Sequence, residues 1–147
     1  MGGVSVETKQ YLSQISRLDR MIKNKMTELA QYKDLAYGLS AVISDDRVQT
    51  SPDFDKTSGK IVKILEMEEK IDKLIDEYVD KKNLIVSQID SMENETYYEI
   101  LFARYIEKKT FEKIATDIGY SFRNTTRLHG KALIEFERKY GNFYKLS

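Results

Sequence analysis

The chain has 147 residues, of which 33% are charged, with one Pro, seven Gly, no Cys and a formal net charge of zero from 24 basic and 24 acidic side chains. This length fits one ordinary domain, or a small module with an extended arm, and excludes a large multidomain enzyme. The missing cysteine removes disulfides, thiolate metal sites and a cysteine nucleophile, and the balanced charge gives a polyanionic partner no support from the chain as a whole.

The first segment, Met1 to Thr8, lacks the apolar core of a signal peptide, and no run of about 18 apolar residues follows anywhere, so the expectation is a soluble, cytoplasmic protein with no membrane contact. From Tyr11 to Ile43 the apolar residues Ile15, Leu18, Ile22, Leu29, Tyr32, Ala36, Leu39 and Ile43 alternate three and four apart, with Lys25 interrupting the row. That spacing is a heptad seam on a long helix. Ser44 to Ser58 carries the only Pro among clustered Asp, Ser and Thr and reads as a loop. Its acids Asp53 and Asp55 do not make an EF-hand, because Ser58 stands where that loop needs Gly and Ile64 where it needs Glu.

A second seam follows Gly59, through Ile61, Ile64, Ile71, Ile75, Tyr78, Ile85, Ile89 and Met92, with Glu68 and Lys82 at polar positions. Each stripe needs a partner surface, so residues 1–92 are predicted to fold as an antiparallel coiled-coil hairpin with its loop at 44–58. The arms would be roughly 50 Å long. Arms so narrow are marginal alone, which points to a homodimer through the hairpin.

Residues 93–147 form a second predicted module. Asn94 caps a short helix carrying Tyr97, Ile100, Leu101, Tyr105 and Ile106, which Lys108 and Lys109 end. Thr110 caps the next helix, with Glu112 in its first turn, and Gly119 stops it. Ser121 caps a last helix from Phe122 to about Tyr140, with Gly141 as its stop.

Two helices meeting steeply over a three-residue turn need particular residues at fixed offsets. Ala115 is the small residue at the close approach, Gly119 supplies the left-handed backbone four positions later, and Ile114, Ile118 and Leu128 face inward. Thr125 takes an inward site where Val or Ile is usual, and its hydroxyl is suited to bonding a carbonyl one turn back. The charge shifts along the chain, with 14 basic and 16 acidic side chains through Met92 against 10 and 8 from Glu93 onward. Ser121 to Ile134 holds Arg123, Arg127, Lys131 and His129 and no carboxylate. A local basic face of this kind suits phosphate contact.

At Thr110–Ile114, Gly119–Ser121 and Lys131–Leu133 the chain resembles region 4 of bacterial sigma factors, a likeness spanning Asn94 to Tyr140. With its coiled-coil first half and the VQTSPDFD segment at Val48–Asp55, the chain also looks like a family of small prophage proteins of Gram-positive bacteria. Those are related in layout to phage late-gene activators of the RinA and ArpU type. The resemblance implies an all-α helix-turn-helix protein that binds double-stranded DNA and regulates phage or prophage transcription, with RNA polymerase as a further partner of the arm. It makes Phe122–Lys131 the start of the helix that enters the major groove.

On that reading Arg123, Asn124 and Arg127 meet base edges, since Arg pairs bidentately with guanine and Asn with adenine. Ser121 and Thr126 would bond phosphates near the helix start, and Lys131 with Lys113 would hold the flanking backbone. His129, the single histidine, has no second ligand for zinc and reads as a surface residue or phosphate neighbour. Gly130 lies inside a predicted helix, where Gly costs about 1 kcal/mol relative to Ala. Its readings are close approach by DNA or the first helix, or a tolerated defect. Most of the ten tyrosines, Tyr32, Tyr78, Tyr97 and Tyr105 among them, are placed on apolar stripes rather than on a base-stacking surface. No phosphate-binding glycine loop, nucleophile motif or acid-base pair is present, so neither an enzyme nor a cofactor is expected. Two alternatives stand beside the regulator: a DNA-packaging adaptor like a small terminase subunit, and a module that binds RNA polymerase or a sigma factor without DNA.

Overall fold

The computed structural model describes residues 6–38 and 53–145. Among them the chain is all-α, as expected, with no strand. Helix α1 spans Val6–Lys33 and passes into a π-helical turn, Asp34–Gly38. Helix α2 spans Asp53–Asp90, α3 Glu95–Leu101, a second π-helical turn Phe102–Ile106, α4 Phe111–Ile118 and α5 Phe122–Tyr144. No helix of the described residues is long and apolar enough to cross a membrane.

Contacts divide the chain into two compact units, Met1–Arg17 with Tyr78–Ser147, and Leu18–Glu77. This division differs from the expected boundary between Met92 and Glu93. The reason is packing, because the first unit has one core drawn from both ends of the chain. Tyr11, Leu12 and Ile15 of α1, Ile85 and Ile89 of α2, Met92, Leu101 and Tyr105, and Ala132, Leu133 and Phe136 of α5 form a single buried cluster. Full burial of a Leu, Ile or Phe side chain contributes about 1.5–3 kcal/mol, so the short helices depend on this cluster more than on their own propensity.

Aromatic and polar contacts tie the same core together. Tyr11 donates to Gln88 Oε1 at 2.6 Å, its ring stacks on Tyr144 at 4.2 Å, and the Tyr144 hydroxyl lies 2.9 Å from Thr8 Oγ1. Tyr140 hydrogen-bonds Ser91, whose carbonyl also accepts from Lys139 Nζ at 2.7 Å. These contacts explain why α5 continues beyond the stop expected at Gly141. Gly141 is buried within the helix, and Tyr144 on the next turn is held against α1. Packing outweighs the weak helix propensity of one glycine.

In the second unit Leu18, Ile22 and Ala36 are buried, as are Ile64 and Ile71 of the second seam. Lys60 Nζ donates to the Ala36 carbonyl at 3.3 Å. Late residues of the first helical segment thus meet early residues of α2, the register of an antiparallel hairpin. The seams are not closed throughout, however. Ile61 is 45% and Ile75 38% exposed, and Val62 and Leu65 beside them are more than half exposed. Two helices offer each other only a narrow seam, and an apolar stripe wider than that keeps its edge in solvent.

Helix α2 begins at Asp53, several residues before the start expected after Gly59. The Asp, Ser and Thr that suggest a loop are also the residues found at helix starts, so composition alone does not separate the two. Leu39, Ile43 and the loop positions 44–52 lie outside the described residues.

Candidate nucleic-acid interface

The outward face of α5 is positioned by a chain of local devices, each visible in the residue that makes it. Asn94 Oδ1 accepts from the Tyr97 amide at 3.1 Å and starts α3. The helix ends through the π-helical turn at Lys108, whose φ of 61° reverses the chain. Arg104 steadies the reversal by donating to the Lys109 carbonyl at 3.0 Å while its guanidinium lies 4.2 Å from the centre of the Phe111 ring. Thr110 then caps α4 by accepting from the Lys113 amide at 3.2 Å, and Glu112 occupies the first turn, where a negative charge complements the helix dipole.

Gly119 closes α4 in the left-handed conformation, φ 76°, and its amide returns to the Ala115 carbonyl. A three-residue turn, Gly119–Ser121, leads to α5, whose N-cap Ser121 accepts from the Asn124 amide at 3.0 Å. Ile114 is fully buried with Ile100 and Ala103, and Phe111, Ile118 and Leu128 pack half-buried against them. Ala115, 6% exposed, is the small buried residue of α4. Thr125 is fully buried, and its hydroxyl donates to the Ser121 carbonyl at 2.9 Å, one turn back. Every inward position expected for a helix, tight turn and helix is occupied in this way.

The faces of α5 separate cleanly. At about 100° per residue, Arg123, Arg127, Lys131 and Ile134 line one stripe. All four face outward, whereas Thr125, His129, Ala132, Leu133 and Phe136 are buried on the opposite side. Arg123, Arg127 and Lys131 take part in no ion pair among the described residues, and the segment Ser121–Ile134 contains no carboxylate to supply one. Elsewhere in the module cations are engaged. Lys109 and Lys113 share Asp117 at 3.1 and 3.0 Å, holding its carboxyl below the usual range, Arg138 pairs with Glu135, and Lys145 with Glu137. Lys139 is held by the Ser91 carbonyl. Among the described residues of α4 and α5, the outward stripe is thus where positive charge stands together uncompensated.

The residues expected to contact DNA fall into two groups. Arg123 and Lys131 project from the stripe, and Arg127 joins them but is held by Asn124, whose Oδ1 accepts from Nε at 3.2 Å and from NH2 at 2.6 Å. Asn and Arg three residues apart on one helix permit this contact, so the spacing itself carries a signal for it. Ser121 and Thr126 already serve the helix itself, Ser121 as cap and Thr126 by donating to the Arg123 carbonyl at 3.0 Å. Lys113 lies outside the stripe and is committed to Asp117.

His129 departs from expectation, for it is buried and not a surface group. It is 9% exposed, with Nε2 2.9 Å from the Tyr105 hydroxyl and its ring between Tyr105 and Phe111. Burial, then the positive charges of Arg104 and Lys9, lower its pKa to about 4. The histidine is therefore neutral near pH 7 and adds no charge to the face. On the sequence it sits between Leu128 and Gly130 with no polar neighbour to mark it, and only the packing of Tyr105 and Phe111 explains its place. Tyr120 and Phe122, on either side of Ser121 in the chain, are 42% and 50% exposed, which no periodicity in the sequence signals.

The model of a family described as Protein of unknown function (DUF1492) matches residues 39–137, well over half of the chain and inclusive of the whole basic stripe. No curated protein and no solved structure matches.

Proposed function

The chain belongs to the DUF1492 family, and we propose that it binds duplex DNA through the exposed face of α5 and regulates phage or prophage transcription in the cytoplasm. One observation carries this reading: Arg123, Arg127 and Lys131 share an outward stripe without an acidic partner, on a helix braced from behind by Ile114, Ile118 and Leu128. Uncompensated cations in a row along a helix attract the phosphate backbone and release its counterions on contact. The likeness of Thr110–Ile114, Gly119–Ser121 and Lys131–Leu133 to sigma factor region 4, and of the chain's layout to phage late-gene activators, supports the same assignment.

Within this reading Arg123 and Arg127 meet base edges, guanine being the expected partner. Asn124 does not act alone, because its carbonyl oxygen already accepts from Arg127. The pair either presents the guanidinium in a fixed pose or separates to give Asn124 to an adenine. Lys131 holds a flanking phosphate. Lys113 reaches DNA only by leaving Asp117, whereas Ser121 and Thr126 add their hydroxyls to a phosphate without leaving the helix.

The test is selection of bound sequences from a random duplex pool. The wild-type protein should enrich a defined sequence, and Arg123→Ala with Arg127→Ala should lose that preference while remaining folded. Equal enrichment by both proteins would remove α5 from the role.

A second reading is favoured by the apolar edge of α2 in the other unit, where Ile61, Val62, Leu65 and Ile75 are exposed. Such a stripe suits a protein partner: a second copy forming a dimer, RNA polymerase, or the ring of a packaging adaptor of the small terminase type. Light scattering separates regulator from adaptor, a monomer or dimer favouring the regulator and a ring of about eight or more subunits the adaptor.

A further inference from the structure

Gly130 lies in the interior of α5 with ordinary helical backbone, since Gly119 is the one described glycine with positive φ. A Cβ built at Gly130 meets no heavy atom within 4 Å. Neither the course of the backbone nor a neighbouring helix therefore calls for glycine here, and close approach by the first helix, one of the expected readings, drops out. The residue nevertheless weakens the middle of a helix, where alanine would be the better helix former.

Its position on the helix supplies the missing reason. At about 100° per residue Gly130 falls within the outward stripe, between Thr126 on one side and Arg127 and Lys131 on the other, with Ile134 one turn on. It forms a notch in the wall of side chains, bordered by cations that have no acidic partner. Absence of a Cβ lets another molecule's backbone lie directly against the helix, a recurrent use of glycine. The charges around the notch select an anionic visitor.

We propose that Gly130 is the point at which one sugar-phosphate strand of the duplex rests against α5, with Lys131 gripping the strand beside the notch. This deepens the DNA-binding assignment and rests on it. The contact is to backbone and not to a base, so it serves any sequence and positions Arg123 and Arg127 for reading.

A purely structural glycine would move stability and DNA affinity together, whereas a backbone-binding notch moves them apart. Gly130→Ala should raise the melting temperature by about 2–6 °C, because alanine is the better helix former and its Cβ has open space. The same variant should bind a fluorescently labelled mixed-sequence duplex of about two turns roughly tenfold more weakly at low salt, and Gly130→Val more weakly still. A more stable Gly130→Ala protein with unchanged affinity would overturn the notch, as would an affinity loss that tracked a loss of helicity. Failure of the DNA-binding assignment looks different: the wild-type protein would then bind the duplex no better than Arg123→Ala/Arg127→Ala, and the notch would fall with it.

Discussion

The hydroxyl of Tyr105 and Nε2 of His129 lie 2.9 Å apart, joining the π-helical turn after α3 to the buried side of α5. Burial pushes Tyr105 up to about 12 and His129 down to about 4, so both are neutral across the ordinary pH range. Phe111 packs edge-on against the same imidazole, with the Arg104 guanidinium over its ring. The turn that sets up α4 and the helix that bears the basic stripe are therefore coupled through one uncharged ring.

This coupling predicts an acid-sensitive module. The unfolded chain takes up the His129 proton near pH 6.5, but the folded chain resists until about pH 4. Stability from the neutral imidazole is complete above about pH 6.5, declines as the pH falls, and is gone near pH 4, with an upper size of about 3 kcal/mol. Urea unfolding at pH 7 and pH 4.5 should show this loss in the wild-type protein and a smaller one in His129→Phe. An acid limb unaltered by the substitution would remove the imidazole as its cause.

Gly119 holds a left-handed backbone that most side chains adopt only with strain. With φ at 76° and nothing within 4 Å of the place a Cβ would take, Gly119→Ala costs conformational strain alone, about 1–2 kcal/mol. Gly119→Asn should cost less, because asparagine tolerates the left-handed region. Equal unfolding midpoints for Gly119→Ala and wild type would contradict this account of the turn.

Thr125→Val should be nearly neutral, within about 1 kcal/mol, although the site is fully buried and its hydroxyl is bonded. The Ser121 carbonyl also accepts from the Thr125 amide at 2.9 Å, so removing the hydroxyl leaves no buried acceptor without a partner. A loss of several kcal/mol in chemical denaturation would show that the hydroxyl bond itself shapes the start of α5.

Tyr144→Ala removes both the stack on Tyr11 and the hydrogen bond with Thr8. The expected loss is about 2–4 kcal/mol, with the end of α5 fraying back toward Gly141. Amide hydrogen exchange should then quicken in the last turn of α5 and at the start of α1 together. Faster exchange in α5 alone would mean that α1 does not depend on this contact.

Much of the module was legible in the sequence because its signals are local. Asn94, Thr110 and Ser121 each act on an amide three residues away, and Gly119 on its own backbone, so residue type and spacing suffice to read them. The inward role of Thr125 followed from the same logic. What escaped is set by distant contacts: Gly141 passes through a helix held by Tyr11 and Thr8, and His129 is buried by Tyr105 and Phe111. The heptad pattern marks both seams but not how much of each a single partner covers, so it places Ile61 and Ile75 in a core that encloses them only partly. The basic stripe is visible as an acid-free segment and the spacing of Asn124 and Arg127 permits their tether, whereas the neutrality of His129 depends on packing by residues distant in sequence.

The central claim is that the exposed stripe of α5 binds duplex DNA, and the salt dependence of binding tests it most directly. A labelled mixed-sequence duplex titrated with wild-type protein and with Arg123→Ala/Arg127→Ala/Lys131→Ala over a salt series reports both affinity and the number of phosphate contacts. The account predicts wild-type affinity that falls steeply with salt, and a variant of unchanged melting temperature that binds about a hundredfold more weakly with a shallower slope. Wild-type protein without affinity at low salt, or a variant that binds as well as wild type, would contradict it.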